Sequence, residues 1–68
     1  MRNARILSRP SDTTALVEVR SLSNAPINTF KLDAAAREFC GGSALVGLPV
    51  STSRMSLNTI RRYLVRCQ

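Results

Sequence analysis

Ser56-Leu57-Asn58-Thr59-Ile60-Arg61-Arg62-Tyr63-Leu64-Val65-Arg66-Cys67-Gln68 is the stretch on which the fold turns. With a helical step of about 100° per residue, Leu57, Ile60, Leu64 and Cys67 fall within an arc of about 80°. Arg54, Asn58, Thr59, Arg61, Arg62 and Arg66 spread over the other side. The spacing predicts a helix that starts at Ser53 or Ser56, packs through one face and is cationic on the other. Ser51-Thr52-Ser53 forms a hydroxyl-rich lead-in.

Working outward, Leu32 to Cys40 reads as a second helix. Its three consecutive alanines have high helix propensity, Leu32, Ala35, Ala36 and Phe39 share a face, and Gly41-Gly42 ends it. Ser43 can cap a short turn through Ala44, Leu45 and Val46 before Gly47 and Pro49 break the chain. Ala44 to Val50 is an apolar stretch that suits either core packing or a contact surface. Ser23-Asn24-Ala25-Pro26 is a turn signal, so a new element begins after Asn28. Ala15 to Leu22 is ambiguous. Ala15, Leu16, Val19 and Leu22 fit a helical face, capped by Ser11 or Asp12, whereas Ala15, Val17 and Val19 alternate as a strand does. Helix is the favoured reading.

The expected fold is mainly α, a small three- to four-helix domain of helix-turn-helix-like type with room for one N-terminal strand. It spans residues 11–68, behind a basic arm at residues 1–10 that Pro10 sets apart. Met1 to Arg9 lacks acids, as an organellar presequence would, but Asp12 and Glu18 soon interrupt that pattern.

Charge carries most of the functional signal. Ten Lys and Arg face four Asp and Glu, giving +6, and nine of the ten bases are arginine, whose planar fork suits phosphates and guanine edges. No acid follows Glu38. A solvated arginine surface is the bland alternative. With no histidine and only Cys40 and Cys67, zinc lacks ligands, and two cysteines make no secreted disulfide framework. Reduced thiols in a cytoplasmic, nucleoid-associated setting follow as the expectation. Cys67 has Arg66 beside it but no base nearby in sequence, and Cys40 closes a helix, where the dipole disfavours a thiolate. The chain is therefore read as a binding protein without catalytic residues, cofactor or metal.

Ser56-Leu57-Asn58-Thr59-Ile60-Arg61-Arg62-Tyr63-Leu64 resembles the recognition helix of helix-turn-helix proteins, and looks closest to winged-helix repressors of the deoxyribose-operon type, with their Ser-x-x-Thr-Ile-Arg-Arg-x-Leu pattern. The resemblance implies DNA contacts by Ser56, Thr59, Arg61 and Arg62, and inward packing by Ile60 and Leu64. It departs from the family upstream, where Arg54-Met55 replaces Gly-Val and a Gly- and Pro-containing connection separates the two helices. Asn58 can read adenine and Arg62 guanine, while Arg54 and Arg66 extend the basic face. The expected partners are nucleic acid, DNA before RNA, and a second copy or protein partner to add area, with no membrane. Two rival classes are a protein-interaction module for an acidic partner and a ribosome-associated RNA binder.

Overall fold

A computed structural model describes residues 4–22 and 29–68. In chain order it has β1 (Ala4–Ser11), β2 (Thr14–Leu22), α1 (Thr29–Cys40), β3 (Ala44–Val46), β4 (Ser51–Met55) and β5 (Asn58–Cys67). The mainly α expectation is overturned: a five-stranded antiparallel sheet carries one helix. The helix expected at Leu32 to Cys40 is present and begins at Thr29. Ala15 to Leu22 is strand, and Ala4 to Pro10, expected as an arm, lies in β1. The Ser23 to Pro26 turn and the first three residues of the arm fall outside the described residues.

β5 is the central strand. One side of it pairs with β2 from Thr14↔Arg66 to Leu22↔Asn58. Its other side takes β3 (Ala44↔Cys67 to Val46↔Val65) and then β4 (Ser51↔Arg62 to Met55↔Asn58). These two short strands act as one edge interrupted at Gly47 to Val50, where Pro49 has no N–H to offer a ladder. β1 forms the opposite edge, paired only with β2 and shifted in register between Ile6 and Ser8 and again before Ser11.

The strand period of two decides which side chains are buried. On β2, Ala15, Val17 and Val19 face the helix; on β5, Tyr63 and Val65 stand opposite the first two and join the same cluster. Leu32 and Ala36 close it from α1, with Ala35, Phe39 and Cys40 packed around them. The expected apolar arc is not a core: Ile60 is buried, but Leu57 and Leu64 are exposed. β-Branched Thr59, Ile60 and Val65 and aromatic Tyr63 suit a strand, and alternation prevails over the helical spacing because β2 offers a matching ladder. Ser11 likewise caps no helix. Its Oγ accepts from the Thr13 N–H at 3.2 Å and bonds the Thr14 hydroxyl across the β1–β2 turn.

Gly41, in the left-handed region at φ 70°, donates to the Arg37 carbonyl at 2.7 Å and ends α1. Cys40, the last residue of α1, is then disulfide-bonded to Cys67, the last residue of β5, with Cα atoms 5.3 Å apart. Reduced thiols are therefore not what the structure holds. The bond pins the helix to the sheet across a sequence separation of 27. Arg9 adds a cation–π contact at 5.4 Å over the Phe39 ring. No helix among the described residues is long and apolar enough to cross a membrane.

Two stability predictions follow from this frame. Closing a loop of this length constrains the unfolded chain by about 3 to 4 kcal/mol. Denaturant titration with and without a reductant is expected to show a loss of that order, and coincident curves from a fully reduced sample would refute it. Ser56, at φ 52°, holds the first central position of the β4–β5 turn in a region where glycine has no steric cost. Ser56→Gly is expected to raise stability by about 0.5 to 1 kcal/mol, read as an upward shift in thermal midpoint.

Candidate nucleic-acid interface

Consecutive arginines on a helix stay roughly on one side, but on a strand they part. Arg62 and Arg66 lie on the face of the sheet without the helix, which is the open face, whereas Arg61 pairs with Val19 on the helix side. Arg54, opposite Thr59, is also on the helix side. The expected continuous basic face of Arg54, Arg61, Arg62 and Arg66 is thereby divided in two. Thr59 is buried and Asn58 half-buried at the head of β5, and Ser56 sits in the turn. Buried Thr59 is not placed to read bases. A recognition helix is excluded for this segment, since residues 58–67 are strand, and α1 is the sole helix among the described residues.

The open face contains a row that crosses four strands: Arg5 on β1, Glu18 on β2, Arg62 on β5 and Ser51 on β4 are register partners in turn. Arg5 Nε lies 3.2 Å from Glu18 Oε1, and Arg62 Nε lies 3.4 Å from Glu18 Oε2. Arg62 Nη1 also donates to Ser51 Oγ at 3.2 Å and Ser53 Oγ at 3.3 Å. One carboxylate thus satisfies two guanidiniums, and the Arg62 side chain is fixed by three neighbours before any ligand arrives. Its pre-set planar fork loses less entropy on binding a phosphate than a free arginine would.

Around this row the face alternates apolar and cationic groups. Leu16 pairs with Leu64, Arg20 with Ile60, and Leu45 with Arg66. Arg20 and Arg66 are exposed and make no ion pair or hydrogen bond with described residues. The face carries Arg5, Arg20, Arg62 and Arg66 against Glu18 alone, and Glu18 is engaged twice. Arg62 and Arg66, four residues apart on one strand, are separated by about 13 Å. Tyr63 lies in the core, so the face has no aromatic ring for base stacking.

Sequence reasoning missed Arg5, Arg20 and Glu18 as members of this surface. The alternation Leu16-Val17-Glu18-Val19-Arg20 was the signal that could have found Glu18 and Arg20; Arg5 had none. On the helix side, Arg61 Nη1 donates to Ser21 Oγ at 3.4 Å. Comparison with known protein families, with curated proteins and with solved structures found no match.

The two ion pairs differ in weight because their arginines differ in exposure. The Arg5 side chain is 68% exposed and that of Arg62 30%, against 11% for Glu18. Arg5→Ala is expected to cost less than about 0.5 kcal/mol, as solvent-screened pairs do. Arg62→Ala removes the ligand of Glu18 that is better shielded and two serine contacts, and is expected to cost about 1 to 2 kcal/mol. Equal urea midpoints for the two variants would show that the row is not the fixed element described.

Proposed function

We propose that this chain is a nucleic-acid-binding module that places the open, arginine-bearing face of its sheet along the phosphates of duplex DNA. The observation that carries the reading is the charge of that face: four arginines against one glutamate that is already engaged twice. Guanidiniums held by a rigid sheet suit phosphate oxygens, and the absence of an exposed ring on the face favours contact with the backbone over stacking on single-stranded bases. Sheet and ribbon elements dock on DNA as helices do, so the loss of the recognition helix leaves the electrostatic argument intact. A face of this size gives weak binding alone, and a second copy or a protein partner would add the missing area. A nucleoid setting accompanies this reading, although the Cys40–Cys67 bond weighs against a reducing cytoplasm.

Leu45 and Leu64, both exposed on the same face, favour a second reading, in which an acidic protein surface occupies the site. Structured RNA is the third candidate.

Fluorescence anisotropy with duplex DNA, structured RNA and an acidic protein at several salt concentrations discriminates among the three. Duplex affinity is expected to fall steeply with salt. In the double variant Arg20→Ala, Arg66→Ala, which removes two exposed and unpaired cations, the log-log slope should shrink by about 2. Negligible duplex binding at low salt would sink the proposal, and tighter binding to RNA would reassign it.

A further inference from the structure

Two-residue hairpin turns ordinarily carry glycine or asparagine, which tolerate positive φ and present little apolar surface. The β4–β5 turn carries Ser56, at φ 52°, and Leu57, between the closing pair Met55↔Asn58. Leu57 is 73% exposed, Met55 59% and Leu22 57%. Leu22 belongs to the same row, since it pairs with Asn58 from the other side. Three large, exposed apolar side chains thus gather at one end of the sheet. Of the strands at this end, β4 makes no contact with α1.

The charges behind the tip are arranged on both faces of the sheet that β2, β5 and β4 form there. Arg20 lies on the open face, and Arg54 and Arg61 on the other. No acid of the described residues belongs to this end. Asp12 is in the turn at the opposite end, Glu18 is held in the central row, and Asp33 and Glu38 are on α1. The adjoining segments 1–3 and 23–28 contain no acid in their sequence.

We infer that the β4–β5 tip is an apolar wedge for the minor groove of duplex DNA, with Leu57 and Met55 entering at a base step and the arginines behind them meeting phosphates on both groove walls. A groove presents a wall of phosphates on each side, which matches cations on both faces of the sheet behind the tip. Leucine and methionine are among the side chains that unstack a base step and kink the duplex towards the major groove, and pyrimidine–purine steps yield most easily. The inference rests on the nucleic-acid reading above and adds to it a mode of binding: the tip deforms, and the open face tracks the neighbouring phosphates.

The test uses a duplex of about 25 base pairs with a fluorescence-transfer pair at its ends and 2-aminopurine beside a central TA step. The unmodified protein is expected to shorten the end-to-end distance and brighten the 2-aminopurine. The double variant Met55→Ser, Leu57→Ser, whose changes are both at exposed positions and whose fold is checked by circular dichroism, should lose both signals. It should bind about tenfold more weakly while keeping its salt slope. The Arg66→Ala variant, changed at the opposite end of the ladder, should lose about one unit of salt slope, yet its complex should still kink the duplex. Binding without kinking, or equal kinking by the tip variant, overturns the wedge and leaves the nucleic-acid reading standing. Absence of duplex binding overturns both. Sedimentation with anionic vesicles, lost in the tip variant and without duplex kinking, also overturns the wedge and makes the tip a lipid contact.

Discussion

The ladder between β2 and β5 is the constraint on which the remaining structure depends. It runs unbroken from Thr14↔Arg66 to Leu22↔Asn58, and every other strand is attached to one of these two. Its register must be fixed, because the side-chain period is two. A slip of one residue in β5 would turn Tyr63 and Val65 to solvent and put Arg62, Leu64 and Arg66 under the helix. Burial of Val17, Val19 and Val65, each worth roughly 1.5 to 3 kcal/mol, opposes that slip. The Glu18–Arg62 ion pair opposes it from the other face, because it exists only in this register. Apolar packing and charge pairing thus specify the same alignment.

The helix was legible because Ala34, Ala35 and Ala36 combine high propensity with a clear apolar stripe and a glycine stop. The strands were not legible, for identifiable reasons. Leu57, Ile60, Leu64 and Cys67 have the spacing of a helical face, while Thr59, Tyr63 and Val65 have that of a strand face, and Arg61 breaks the strand pattern in the middle. Local sequence leaves that competition open; the partner strand β2 settles it. Ala15, Val17 and Val19 carried the same double meaning. The β4–β5 turn gave no warning, since Ser56-Leu57 lacks the residues that announce a hairpin. Cys40 and Cys67 lie far apart in the chain, and their pairing depends on a topology that spacing does not reveal.

Of the binding residues expected from the sequence, the arginines remain at the surface but change company. Arg62 and Arg66 join Arg5 and Arg20, which are distant in sequence, and separate from Arg54 and Arg61, which are near. The positive charge was readable from composition, whereas its division between two faces was not. That division turns one diffuse basic segment into a flat surface and a two-sided ribbon end, which make different demands on a ligand.

The position of β5 in the chain also bears on how the molecule folds. The middle of the sheet is supplied by the strand that comes last in chain order, so among the strand pairings only the β1–β2 hairpin can form before it. Until β5 inserts between β2 and the β3–β4 edge, β2 presents an unsatisfied ladder and Val17 and Val19 an unfilled apolar strip. Such reliance on sequence-distant pairing raises contact order, slows folding and leaves an edge open to pairing between chains in the interval. A late central strand concentrates assembly into one cooperative event rather than a series of independent hairpins.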